Sequence, residues 1–115
     1  MDKLKDGAFS LASEELQRAN GKYPLFNSTH EGEAVLREEI EEVSEALELV
    51  KANHEGLWKQ IRKNQSIDIE SLERMGSAAL ELTCEAIHVL AMIQKFIYSM
   101  EGWKDEQSCP DRKTN

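Results

Sequence analysis

At 115 residues the chain has the size of one domain, and 40% apolar with 31% charged residues suits a folded helical protein better than a disordered one. A formal charge of −8 argues against a nucleic acid polymer as partner, because phosphate backbones are held by clustered Lys and Arg, and fits a protein that collects cations. Nothing resembles a signal peptide and no apolar run reaches the ~18 residues of a membrane span, so a cytoplasmic protein with no membrane contact is expected.

Residues 1–6 are charged and are expected to fray. From Ala8 to about Ala19, the positions of Phe9, Leu11, Ala12 and Leu16 predict a short amphipathic helix stopped by Asn20-Gly21. Tyr23-Pro24-Leu25-Phe26 reads as an extended connector, since a residue before proline is pushed off helical angles, and its aromatics are expected to cover one end of the core. Asn27-Ser28-Thr29 offers N-caps for a long helix running to about Ala52. Asn53-His54-Glu55-Gly56 then predicts an interruption, followed by a shorter helix with Leu57, Trp58 and Ile61, Trp58 being taken as core. The triplet His-Glu-Gly stands at both 30–32 and 54–56, but nothing around it repeats.

Asn64-Gln65-Ser66 predicts a turn, and Asp68 can cap a helix beginning at Ile69, with Gly76-Ser77 marking a kink or boundary. From Ala78 to Met100 the pattern is apolar nearly all round, as in a central helix or one shared with a second subunit. Cys84 lies there and reads as an inert small hydrophobe. Cys109 lies in a polar tail, and both cysteines are expected to be reduced thiols. The expectation is therefore an all-α antiparallel bundle of three to five helices over residues 1–100, with a polar, mobile tail at 101–115.

The stretch from His30 to Val50 holds eight glutamates and one arginine around an apolar stripe of Leu36, Ile40, Val43, Leu47 and Val50. Glu41, Glu45 and Glu48 point away from that stripe and read as solvated, helix-favouring surface; Glu38 stays open between surface and site. Glu39 falls roughly 60° from Leu36, on the stripe, and Glu42 lies on its shoulder. A carboxylate aimed at a core must be paired, protonated or metal-bound. Two readings stand for Glu39 and Glu42: ligands of a metal, or partners of Lys51, Arg62, Lys63 or Arg74 in a structural network. On the later helix Glu81, Glu85 and His88 follow at steps of four and three and share one face, which Met92 and Phe96 continue. Inward carboxylates on facing helices are how bundles build metal sites, and oxygen-rich ligands favour Mg²⁺ or Mn²⁺. Taken alone, His88 reads as a partly buried structural histidine and His30 as part of a helix start.

LREEIEEVSEAL resembles the Glu-Glu-x-x-Glu helix of the MazG-like all-α nucleotide pyrophosphohydrolases. With FNSTHEG ahead of it and CEAIHVLAMIQKFI after it, the chain over about residues 23–100 is similar to the short MazG-like proteins of phages and Gram-positive bacteria. The resemblance implies cleavage of a nucleoside triphosphate between its α- and β-phosphates, releasing pyrophosphate. It also implies Mg²⁺, with Mn²⁺ as the alternative, held by two carboxylates from the first helix and two from a later Glu-x-x-Asp helix. Carried over, the first pair is Glu39 and Glu42, with Glu38 leading the motif. The second pair is Glu85 and His88 in the register that CEAIHVLAM matches better, or Glu81 and Cys84 in the other. Imidazole at the aspartate position removes one negative charge and shifts preference toward Mn²⁺ or Zn²⁺. Glu38 and Glu81 are the candidates for orienting a water or accepting its proton, Lys95 and Arg74 for meeting the triphosphate, and a homodimer or homotetramer is implied.

Overall fold

The computed structural model describes residues 2–20 and 25–107, and with them three helices: α1 (Asp2–Asn20), α2 (Thr29–Arg62) and α3 (Ile69–Gln107). Helix makes up 90% of the described residues, and none of them is in a strand. The count falls at the low end of the expected range because two of the predicted breaks are not breaks. Asn53 and Gly56 lie inside α2, where the Asn53 side-chain amide donates to the Leu49 carbonyl at 2.8 Å. Gly76 and Ser77 lie inside α3. A single glycine costs a helix only about 1 kcal/mol relative to alanine, which a long packed helix absorbs.

The true punctuation is finer. Ser28 caps α2, its Oγ accepting the Glu31 N–H at 3.1 Å, and Asp68 caps α3, accepting the Ser71 N–H at 2.8 Å. At the end of α2, Asn64 takes the left-handed conformation (φ 57°), the Gln65 N–H reaches the Gln60 carbonyl at 2.9 Å and the Asn64 N–H the Ile61 carbonyl at 3.0 Å. That pair of bonds is a Schellman stop, with asparagine in the place usually held by glycine. Residues 2–6, expected to fray, belong to α1; the charged residues there are helix-compatible, and Asp2 sits in the favourable first turn. Residues 101–107 of the expected tail are helical too. Met1, the Gly21–Pro24 part of the connector and the tail from Ser108, with Cys109, lie outside the described residues.

The chain forms two compact units, Met1–Arg37 with Ile87–Asn115, and Glu38–Ala86. In the first, α1 buries Ala12 and Leu16, and the connector buries Phe26. The Phe26 ring meets Phe96 edge-on at 5.8 Å, and Phe96 meets Trp103 at 6.4 Å. Phe26 is the expected aromatic cover, fixed by its N–H donating to Ser99 Oγ at 2.9 Å. The second unit is a helical hairpin. Gln60 shares a cleft with Ser71 near the connection, and Glu39 approaches Glu85 at the far end, so the two helices run antiparallel.

The fully buried apolar residues are few and small: Ala46 and Ala78 in the second unit, Ala12, Leu16, Phe26 and Ala91 in the first. Large apolar side chains stay open, among them Leu80 (65% exposed), Ile93, Ile97 and Met100 on α3 and Ile40 and Leu47 on the α2 stripe. Trp58, expected in the core, is 48% exposed, because α2 in this unit has a packed neighbour on one side only. Cys84 is an exposed free thiol on the helix where a small buried hydrophobe was expected. By length and mean hydropathy (1.3), Ile69–Trp103 is long and apolar enough to cross a membrane, although no uninterrupted apolar run of that length occurs in it. It carries Glu70, Glu73, Arg74, Glu81, Glu85, Lys95 and Glu101, charges that are costly in a bilayer.

Candidate metal centre

Glu39 sits in the second turn of α2, on the half-buried side that Leu36 and Val43 share. Glu85 sits on α3 within the same unit as Glu39, and His88 follows it by one turn of the same unbroken helix. One carboxylate oxygen of Glu39, one of Glu85 and one ring nitrogen of His88 lie within 4.8 Å of one another. All three residues are half-buried, and the Oε2 atoms of Glu39 and Glu85 are shut off from solvent. Sequence spacing set each of these residues on an inward face; the hairpin is what brings the faces together.

The donor set fits a divalent cation. Two ligands on opposite sides of an ion bound at about 2.1–2.2 Å stand about 4.3 Å apart, so side-chain adjustments of a few tenths of an ångström would close the three around one ion. Two carboxylates and an imidazole are compatible with Mn²⁺ and Zn²⁺ as well as with a partly hydrated Mg²⁺. The three residues also engage neighbours within the protein, as do Glu42 and Arg37, so a cation would enter a site that already has internal polar contacts.

The remaining candidates stand outside this trio. Glu42 is exposed on the next turn of α2, and Glu38 and Glu81 are exposed. Of the two registers weighed for the second pair, Glu85 with His88 is the one that meets Glu39; Glu81 and Cys84 face solvent. Glu41, Glu45 and Glu48 are exposed, as expected of a solvated face, and Lys51 lies 3.4 Å from Glu48. Arg74 donates to Ser71 Oγ at 3.1 Å. Lys95, 7% exposed, sets its ammonium over the Phe26 ring, 4.6 Å from the centroid, a cation–π contact that holds the charge at an aromatic face.

Three residues with structural weight escaped the sequence reading. Ser99 sat unremarked in an apolar helix, Gln60 in a polar stretch, and Gly32 in a triplet dismissed as coincidence. A Cβ on Gly32 would meet Phe96 Cε2 at 2.7 Å, whereas one on Gly56, in the second copy of the triplet, would meet nothing within 4 Å. The two triplets are therefore unlike in structure.

Comparisons of the chain with protein-family models, with curated proteins and with solved structures find no match.

Proposed function

We propose that the protein is a divalent-metal-dependent nucleoside triphosphate pyrophosphohydrolase, converting a nucleoside triphosphate to the monophosphate and pyrophosphate. The observation that carries this reading is the approach of Glu39, Glu85 and His88 to one another, at positions picked out by the MazG-like motifs. In this reading the three residues hold Mg²⁺ or Mn²⁺, and Glu42, one turn beyond Glu39, completes the set from the exposed side. A bound cation would supply neutralisation of the phosphate oxygens and a water of lowered pKa. The chain's own contribution is to hold the ligands on rigid helices and to orient the attacking water through Glu38 or Glu81, one of which takes its proton. The substrate is a small nucleotide, and the setting is cytoplasmic. The exposed apolar residues of α3 favour a homodimer or homotetramer, since a row of large open side chains marks an interaction surface.

A second reading is a catalytically degenerate relative that keeps the helical oligomer and a binding or structural role. It is favoured by imidazole where the resembled motif has a carboxylate, and by the seating of the Lys95 ammonium on Phe26. Pyrophosphate release from a nucleotide panel with Mg²⁺ or Mn²⁺ tests the first reading, with Glu39→Gln expected to abolish turnover. If no nucleotide is cleaved while Mn²⁺ still raises the thermal stability of the parent, the degenerate reading stands.

A further inference from the structure

The second unit has a cleft at its closed end, about 25 Å along α2 from Glu39 at the helical rise per residue. It encloses about 220 Å³ and is lined by Ala52, Asn53, Gly56, Leu57 and Gln60 of α2 and by Ser71 and Arg74 of α3. Gln60 Oε1 is buried and accepts no hydrogen bond. Buried acceptors are nearly always satisfied, so one left open on the wall of a cleft calls for a donor from outside the chain. The Arg74 guanidinium has five donors, and it gives one bond to Ser71 Oγ at 3.1 Å. Asp68 is the nearby acid that feels its charge, but that carboxylate is taken up by Ser71 at the start of α3.

We propose that this cleft binds a small carboxylate that also carries an N–H donor, the chemistry of a free amino acid. The carboxylate takes Arg74 and the N–H takes Gln60 Oε1. At about 30 Å³ per water in the liquid, the cleft holds on the order of seven waters, which suits a ligand of amino-acid size and excludes a whole nucleotide. Gly56 keeps the space free, because a side chain there would extend into the cleft without striking the protein. The site is separate from the carboxylate–histidine trio and does not depend on what that trio does.

The test is a titration of the ¹⁵N-labelled protein followed by the side-chain signals of Gln60 and Arg74. The probes are the standard amino acids one at a time and, separately, inorganic phosphate. At least one amino acid is expected to shift both signals saturably at millimolar concentration, and phosphate is expected not to. Arg74→Gln and Gln60→Leu should each weaken that binding about tenfold, and Gly56→Leu should abolish it with the helical circular dichroism unchanged. The proposal is overturned if no amino acid gives a saturable shift, if Gly56→Leu binds like the parent, or if phosphate binds as well as any amino acid.

Discussion

Ser99 and Phe26, 73 positions apart in the chain, are tied by one hydrogen bond: the Phe26 N–H donates to Ser99 Oγ at 2.9 Å. The same hydroxyl donates to the Lys95 carbonyl at 2.8 Å, and Ser99 is only 1% exposed. The serine thus satisfies the backbone of the segment that enters α2 and anchors the Phe26 ring over Phe96 and Lys95. Ser99→Ala would leave a buried N–H without an acceptor and should cost about 1–3 kcal/mol. Urea unfolding of the parent and variant, compared at equal slope, measures this; an unchanged midpoint would show that water replaces the hydroxyl.

Gly32 and Gly76 make opposite predictions for the same substitution. Alanine is the better helix former by about 1 kcal/mol, and at Gly76 a Cβ meets nothing within 4 Å. Gly76→Ala should therefore raise the melting temperature. At Gly32 the new methyl would collide with the Phe96 ring, which is braced by Phe26 and Trp103 and cannot simply swing aside. Overpacking of about 1–3 kcal/mol outweighs the helical gain, so Gly32→Ala should lower the melting temperature.

Acid should loosen the start of α3. Hydrogen bonds from the Ser71 side chain and backbone, aided by Arg74, hold the Asp68 carboxyl below its ordinary 3.8. A depressed carboxylate pKa gives stability that is present above the unfolded value and is lost as the pH falls through the folded one. Amide exchange at Ser71 and Leu72 should accordingly accelerate below about pH 4, more than at the Ser28 cap of α2, which has no titrating group. Asp68→Ala should remove the pH dependence and cost about 0.5–2 kcal/mol at neutral pH.

A cation bound only by the folded chain stabilises it by linkage, by about 2.7 kcal/mol at a hundredfold excess over the dissociation constant. Mn²⁺ should raise the melting temperature of the parent and EDTA should reverse the rise. Glu85→Gln and His88→Ala should each lose most of this response, and Glu45→Gln, on the solvated face, should keep it. Equal responses from all three variants would place the ion elsewhere.

The glutamate-rich helix of α2 was legible from spacing alone, because a half-buried helix needs an apolar stripe of period 3.6 and any carboxylate on that stripe stands out. So were the caps at Ser28 and Asp68, which are local chemistry. Local composition misjudged the breaks: Gly56 and Gly76 looked like boundaries, yet the penalty of one glycine is small beside the gain from a continuous packed helix. Tertiary structure alone decided which pairs meet. Glu39 lies far along the chain from Glu85, and only the turn at Asn64 folds α3 back so that Glu85 and His88, rather than Glu81 and Cys84, reach it. The same holds for Ser99 and for Gly32, whose roles depend on a partner that no short stretch of sequence contains. A helix dictates which of its own residues share a face; what that face touches is set by the folding of the whole chain.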